Sequence, residues 1–455
     1  MSTPGLQHSR TRWTIFGVLL ITLIFVRSWW IGPPDNRSIL LIVSGDTAGW
    51  ITPCGCTANQ SGGLLRRGSY VDQFRPHVHV IVADAGGAPA GTSAYQKVKF
   101  EGILAGERQM GLDAHNLGGP EAELGALYLR DVMQRLQVPF LSANLRDEQR
   151  QLIAEPVRII ARGKQRVALV GVLSQRFARP GLHVDDPRDA VLQAATAVKG
   201  QYDTLVVLAY APEEELKRLA AELPEADAIV GGPTGQAIKP QAVGKTIIAA
   251  ATNKGKFLVN LWWGKQNQSD YAWTGSITEM DTRYQDSPEQ EANVRLYLDE
   301  LGKREFTAAK SGLAPYTAVA SPDFRIVGND ACVLCHEQDC KHWSGTKHGQ
   351  AWKTLVDKGS HVDSYCQQCH TTGFALPGGF ASPKRTPALV NVGCESCHGP
   401  AAAHVQNPRK KTPFLAKDQC IRCHDHENSP KFEYAPYWER IKHGAPAMAA
   451  SGGNR

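Results

Sequence analysis

The chain is poor in net charge: its 455 residues sum to +6, and the basic residues are scattered, the densest run being "PRKK" at 408–411. That excludes an electrostatic footprint for nucleic acid. Long apolar runs are also scarce. One stands near the start, fourteen residues without a charge at 13–26, preceded by His8, Arg10 and Arg12 and followed by Arg27, Ser28, Trp29, Trp30 and Ile31. Neither an A-x-A-like cleavage site nor a cysteine placed for lipidation follows it, which argues against a cleaved leader and a lipid anchor. Extended over 13–31, with Arg27 reaching to the interface, the run covers about 28 Å at 1.5 Å per residue. An uncleaved signal anchor is expected, basic end inside: one pass of a bacterial inner membrane, with the bulk of the chain in the periplasm. No internal repeat is present beyond short cysteine–histidine motifs. Hydrophobic and charged contents of 42% and 21% are globular values, and the length calls for two or three domains.

What is abundant is cysteine followed by histidine. Cys332, Cys335 and His336; Cys366, Cys369 and His370; Cys394, Cys397 and His398; and Cys420, Cys423 and His424 each form C-x-x-C-H. This is the attachment pattern for c-type haem. Each thiol adds to one vinyl group, and the two-residue gap matches the vinyl separation. The adjoining imidazole is then placed as the proximal iron ligand. Zinc also favours C-x-x-C pairs, but has no reason to demand a histidine after every second cysteine. Four c-type haems are therefore the expected cofactors. Export agrees with them, since c-type attachment in bacteria takes place outside the cytoplasmic membrane. Ten of the fifteen histidines lie from His336 onward. Stretches such as "HEQDCKHWSGTKHGQ" could not form a core alone, so the haems are expected to supply the missing apolar area. The run 408–411 reads as a solvated loop or a counter-charge for haem propionates.

The order "CVLCHEQDCKHWSGTKHGQAWKTL", "CQQCHTTGF", "VGCESCHGP" and a fourth C-x-x-C-H resembles the tetrahaem cytochrome c family of ammonia-oxidising bacteria, which takes electrons from hydroxylamine oxidoreductase. The resemblance spans 329–445. It implies that His348, in "WSGTKH", and His404, after "CESCHGP", are distal ligands, although the spacer before His404 is shorter here. His443, in "YWERIKHG", resembles the distal ligand of related multihaem cytochromes. The family holds three bis-histidine haems and one five-coordinate haem, which three distal candidates match. His342, His361 and His426 are then spare: solvated or propionate-binding, or in one case the sixth ligand of the fourth iron. Bis-histidine ligation suits electron transfer, whereas an open site would admit nitric oxide or hydroxylamine.

Across 38–283, short aliphatic runs ("SILLIVSGD", "VHVIVADAG", "RVALVGVL", "TLVVLAYAP") alternate with helical-period segments ("GLLRRGSYVDQF", "EAELGALYLRDVMQRL", "EEELKRLAAEL"). That reads as α/β with strands buried on both faces. "TIIAAATN", "KFLVNLWWG" and "YAWTGSITEM" look antiparallel and edge-like. Sites in such sheets lie past the strand C-terminal ends, here at 44–48, 84–88 and 231–236. These loops resemble the calcineurin-like metallophosphoesterases, in particular the N-terminal domain of bacterial 5′-nucleotidases. The family's two metals are held by D-x-H, G-D, G-N-H-E, a strand-end His and G-G-H-x-H. Here Asp46 and Asp84 are kept. Ala48, Gly119 with Pro120, Tyr210, and Pro233 with Gly235 stand where the nitrogen and amide ligands belong. Two carboxylates alone hold no dinuclear transition-metal site. Phosphoesterase activity is therefore not expected, and the domain reads as a docking or scaffolding module.

Three thiols remain outside the motifs. Cys54 and Cys56, in "TPCGCTAN", read as a redox-active pair, a soft-metal site or a strained loop staple. Cys340 suggests no role. The segment 287–310 reads as a capped amphipathic helix with Val294, Leu296, Leu298 and Leu301 on its apolar face, and 311–328 as a linker or a strand laid across the domain interface. The expected architecture is an anchor (1–37), an α/β metallophosphoesterase-like sandwich (38–283), a helix and linker (284–328), a mostly helical and irregular tetrahaem domain (329–445) and a tail. Electron transfer between redox partner proteins is the expected function. The alternatives are a redox enzyme acting on a small nitrogen compound at an open haem, and a 5′-nucleotidase-type hydrolase.

Overall fold

A computed structural model of the chain describes residues 38–53, 60–264, 272–313, 321–412 and 416–443. The expected anchor at 13–31 and the pair Cys54 and Cys56 lie outside the described residues. Among those described, no helix is long and apolar enough to cross a membrane.

The aliphatic runs become strands because their β-branched and leucine side chains are buried on both faces. Fourteen strands are formed among the described residues: β1 (Ile39–Ser44), β2 (His79–Asp84), β3 (Leu112–Asn116), β4 (Phe140–Leu141), β5 (Leu145–Arg146), β6 (Val157–Arg162), β7 (Gln165–Leu173), β8 (His183–Val184), β9 (Thr204–Tyr210), β10 (Ala228–Gly232), β11 (Ile238–Val243), β12 (Thr246–Ala250), β13 (Phe257–Trp263) and β14 (Trp273–Glu279). Two six-stranded sheets result, ordered β14-β13-β1-β2-β3-β4 and β11-β12-β10-β9-β7-β6. β1 to β4 run parallel, as do β7, β9, β10 and β12. The sheets pack face to face through Leu41, Val43, Ile81, Leu169, Val206, Leu208 and Trp273, and the Trp273 indole donates across to Thr204 Oγ1 at 2.9 Å. Helices Ala94–Gln109, Ala126–Leu136 and Pro288–Arg304 supply the outer layer of the first sheet, and Pro187–Ala197 and Glu213–Glu222 that of the second.

Three local expectations change. β12 is neither antiparallel to its inner neighbour nor an edge: it runs parallel to β10 with β11 outside it, and every residue is buried. β13 is antiparallel as expected but internal, leaving β14 at the edge. In Pro288–Arg304 the buried face is Gln290, Asn293, Tyr297 and Leu301, while Leu296 is 65% exposed. Polar residues face inward there because Gln290 and Asn293 donate to the Gly106 and Gly102 carbonyls of helix Ala94–Gln109. That helix escaped the sequence reading because it is buried around much of its circumference and shows no simple stripe.

The C-terminal part is built of short helices. Its side-chain core is small: Ala308, Ile326, Phe374, Phe380 and Leu389. The fifteen-residue helix Asp330–Ser344 buries no residue at all.

Candidate functional site

Two places carry the chemistry. The first is the histidine-rich part. Helix Asp330–Ser344 carries the first motif and loses helical geometry at His336 (φ −124°, ψ 42°), where the chain kinks. Helix Ser364–His370 carries the second motif and Cys394–His398 the third. The fourth starts on Ala416–Cys420, and the His424 amide closes onto the Cys420 carbonyl at 2.8 Å. The Cys332 and Cys394 thiols lie within hydrogen-bonding reach of each other, and so do those of Cys369 and Cys423. The first motif therefore meets the third and the second meets the fourth, while the third also meets the fourth, with Cys397 close to Cys420 and Cys423. Cys340 sits at the first of these junctions, beside Cys394.

The imidazoles pair at one separation. Ring centroids lie 6.3 Å apart for His336 and His404, 6.0 Å for His348 and His424, and 5.9 Å for His398 and His443. Two metal–nitrogen bonds of about 2 Å each, plus the ring radii, add up to about 6 Å. Nδ1 of His370, His404 and His443 is engaged by the carbonyl oxygens of Ala351, Lys410 and Ile441 at 2.8, 2.9 and 3.0 Å. Nδ1 of His424 is engaged by Ser429 Oγ at 3.1 Å. With Nδ1–H donating, Nε2 keeps its lone pair for a metal. Burial lowers the imidazolium pKa of His348, His370, His398 and His424, which favours the neutral, ligating form. The donor set, the ring spacing and the missing side-chain core together fit c-type haem.

The spare histidines separate. The His342 ring lies 6.3 Å from that of His443, the same separation as His336 and His404, so His443 has two imidazoles at the pairing distance, His398 and His342. His361 packs edge-on against Trp352 at 6.1 Å, and its Nδ1 is buried without a hydrogen bond. His426 is exposed. Lys410, in the basic run, pairs with Asp323 at 2.7 Å on the surface. Glu395, inside the third motif, was missed from sequence. It is 3% exposed and accepts the Val327, Gly328 and Ala401 amides, which ties that motif to the preceding linker.

The second place is the loop cluster beyond β1, β2, β3 and β9. Asp46, at φ +50°, accepts from the Thr252 hydroxyl at 2.7 Å and the Asn253 amide at 3.2 Å; burial raises its pKa. Asp84 is fully buried and accepts from Ser44 Oγ at 2.6 Å and the Gly86 amide at 2.8 Å. Tyr210 stands in place of a ligand, and its ring fills the cavity. A Cβ added to Gly87, Gly118 or Gly119 would lie 2.8, 2.7 or 3.2 Å from that ring. Phe177 packs on it at 5.0 Å. Pro120 and Glu121 stand in the one-turn helix Gly119–Ala122 after β3. Gly235 lies open, with nothing near it.

Beneath these loops lies a buried charge cluster that the sequence did not announce. Ligand atoms of Asp84, Glu107 and His115 fall within 4.8 Å of one another. The space among them is already served by a cation: Arg67 Nη1 is 3.4 Å from Glu107 and 4.0 Å from Asp84, and Nη2 donates to Thr47 Oγ1 at 3.1 Å. His115 donates from Nδ1 to Glu107 at 2.9 Å and from Nε2 to Glu121 at 3.2 Å. Glu121 also accepts the Gly87, Ala88 and Gly118 amides. Both His115 nitrogens are thus committed, a guanidinium balances the carboxylates and a tyrosine ring fills the opening. These residues do not fit a dinuclear metal centre. The sequence did hold two signals: Glu121 directly follows the replaced ligands, and His115 and Asn116 set polar side chains at the buried end of β3.

This cluster sets a pH dependence. Burial, then Asp84, pushes Glu107 up to about 7 from 4.5. Between those values the folded chain keeps a proton that the unfolded chain has released, so stability falls as pH rises. Burial alone would lower His115, but Glu107, Glu121 and Asp84 outweigh it and raise it well above 6.5. Its contribution is complete below 6.5 and is lost as pH climbs through the raised value. Both groups act in one direction. The α/β melting transition is expected at a higher temperature near pH 5 than near pH 8, and Glu107→Gln should flatten the difference. Calorimetry at the two values tests this.

These two places define a protein with an α/β domain of calcineurin-like phosphoesterase fold followed by a c-type cytochrome domain. The match at the level of families is specific: residues 331–399 match the family described as cytochrome c554 and c-prime. Cytochrome c-554 of Nitrosomonas europaea is 30% identical over 147 residues, covering 24% of this chain and 63% of the relative. The snake venom 5′-nucleotidase of Gloydius brevicauda is 26% identical over 211 residues, 43% of this chain and 36% of the relative. The chain thus spans less than two thirds of either. Among solved structures, the 5′-nucleotidase precursor of Thermus thermophilus superposes with a TM-score of 0.51 at 18% identity, covering 60% of this chain and 61% of that one. The sulfate thiohydrolase SoxB of Thermus thermophilus gives a TM-score of 0.50 at 17% identity, covering 61% and 63%.

Proposed function

We propose that the chain is an exported, membrane-anchored cytochrome with four c-type haems that passes electrons between redox partner proteins, its α/β domain kept as a non-hydrolytic scaffold. The observation that carries this reading is the set of imidazole pairs at 5.9–6.3 Å, four in number among the described residues, two of which share His443. In it, the eight motif cysteines form thioethers, and His336, His370, His398 and His424 are proximal ligands. His404 lies across from His336, His348 from His424 and His443 from His398. His398 is taken as the partner of His443 because it lies nearer, 5.9 Å against 6.3 Å, and stands in a haem motif, which leaves His342 spare. Bound haem supplies a reversible one-electron iron couple. The protein's part is to hold neutral imidazoles in fixed tautomers and to bring the four motifs together, first to third, third to fourth and fourth to second. The anchor at 13–31 and the periplasmic setting belong to the same reading, supported by the apolar run and by the haem motifs.

A second reading rests on His370. Among the described residues it is the one proximal candidate without another imidazole at the pairing distance. An open iron there would take a small nitrogen compound, which is the redox-enzyme alternative. The hydrolase alternative has no support from the filled pocket and the committed carboxylates.

Low-temperature electron paramagnetic resonance with haem quantitation on the same purified sample tests both. Four haems per chain with about three quarters of the iron low-spin and about one quarter high-spin is the expected result. All-low-spin iron would remove the second reading and leave the carrier. Haem-free protein would overturn both.

A further inference from the structure

The helix that carries the second haem motif is held from outside its own domain. Its cap, Asp363, is 7% exposed, and Oδ1 accepts the Tyr365 amide at 2.8 Å. The same carboxylate takes the Tyr95 hydroxyl on Oδ1 and the Tyr297 hydroxyl on Oδ2 at 2.9 Å. Lys99 Nζ stands 4.0 Å from Oδ2. Tyr95 and Lys99 lie one turn apart on helix Ala94–Gln109, and Tyr297 lies on Pro288–Arg304. The Lys99 ammonium also sits 5.2 Å over the Tyr95 ring and 5.3 Å over Tyr365. Tyr365 in turn meets Trp50, from the loop after β1, edge-on at 5.1 Å. Two buried hydroxyls, one ammonium and two aromatic contacts therefore converge on the two residues flanking Ser364, just ahead of Cys366.

Cys366, Cys369 and His370 all ride on this one seven-residue helix. Its orientation is the orientation of whatever those three residues hold. A carboxylate is an acceptor with several lone pairs, and this one is satisfied by three neutral donors and faces one cation. Burial, with Asp363 next, raises both tyrosine hydroxyls well above 10, so they stay neutral donors. The fixed charge beside the helix is then set by Asp363 and Lys99, and at low dielectric such a charge acts on a neighbouring redox centre.

We propose that Asp363 is a positioning residue through which the α/β domain sets the orientation and the reduction potential of the haem held by Cys366, Cys369 and His370. The inference rests on the cytochrome reading above and adds a task for the α/β domain: it serves as the outer wall of one haem site.

Two full-length holoprotein variants separate charge from hydrogen bonding. Asp363→Asn removes the negative charge at constant size. Tyr95→Phe with Tyr297→Phe keeps the charge and removes two of its donors. Haem content, spectroelectrochemical titration and amide hydrogen exchange at Tyr365 are read on each. One of the haem titrations is expected to move, upward in potential for Asp363→Asn and downward for the tyrosine pair. At fixed applied potential, the reduced-to-oxidised ratio of that haem should change by about threefold to tenfold. Exchange at Tyr365 should accelerate in both. Opposite signs are not produced by loosened packing alone. Haem titrations that overlay the wild type at full haem content would overturn the proposal and leave the cytochrome reading intact. Wild-type protein without haem would overturn that reading, and the proposal with it. If Asp363→Asn fails to fold, the tyrosine pair alone decides by the sign of its shift.

Discussion

Arg67→Met is expected to cost the α/β domain about 3–5 kcal/mol, the usual result of removing one partner from a buried ion pair. The Arg67 side chain is 2% exposed, and its guanidinium lies 3.4 Å from Glu107 and 4.0 Å from Asp84. Methionine matches the stem but leaves these carboxylates without a guanidinium in a place water does not reach. His115 cannot make up the loss, because both its nitrogens are already used. Denaturant unfolding followed by the fluorescence of buried Trp273 and by far-ultraviolet circular dichroism measures the change. The double variant Arg67→Met with Glu107→Gln should recover more than half of it, since a neutral amide in place of the carboxylate no longer needs a cation. A loss below about 1 kcal/mol in the single variant would mean that the cluster is solvated and that the guanidinium is not its charge balance.

His404→Ala should convert about a quarter of the haem iron from low-spin to high-spin, with no loss of haem. In the reading proposed above the motif cysteines hold the macrocycle covalently, so removing a distal imidazole would empty a coordination position and leave the attachment intact. His404 stands 6.3 Å from His336 across the gap, in the middle of a five-residue helix whose buried residue is Ala402, so loss of the imidazole disturbs no core. Free imidazole added to the variant should restore the low-spin signal. His404→Met should stay low-spin and shift one midpoint potential upward, the known direction for exchanging an imidazole for a thioether. An alanine variant with the wild-type spectrum would assign the sixth site of His336 to another residue and undo the pairing proposed above.

Much of both domains was legible in the sequence, for reasons that differ. β1, β2, β7 and β9 were readable because a strand buried on both faces must be aliphatic along its whole length. β12 was misjudged because its neighbours are chosen by the sheet and not by its own residues: "TIIAA" suits an edge or an interior equally until β10 and β11 take their places. Of the expected apolar face of Pro288–Arg304, Val294, Leu298 and Leu301 do pack on the core, but polar residues share the buried side with them. Gln290 and Asn293 turn inward because helix Ala94–Gln109 presents to them the carbonyls of Gly106 and Gly102, where no side chain intervenes. Leu296 is left outside.

By itself the sequence determined the haem attachment chemistry, because C-x-x-C-H places two thiols and an imidazole within about one turn of helix, needing no distant partner. It determined equally that the phosphoesterase ligands are missing, because Ala48, Pro120, Tyr210 and Pro233 carry no metal-binding nitrogen in any fold. Only the tertiary structure decided what stands in their place. Arg67 meets Glu107 across 40 residues of chain, and Tyr95 meets Asp363 across 268. Buried charges are stable only as a balanced set with satisfied hydrogen bonds, and that balance belongs to the assembled cavity, where groups distant in the chain share one low-dielectric space. The same holds for the imidazole pairs: each half is written locally, and the separation that admits an iron is set by how the short helices are brought together.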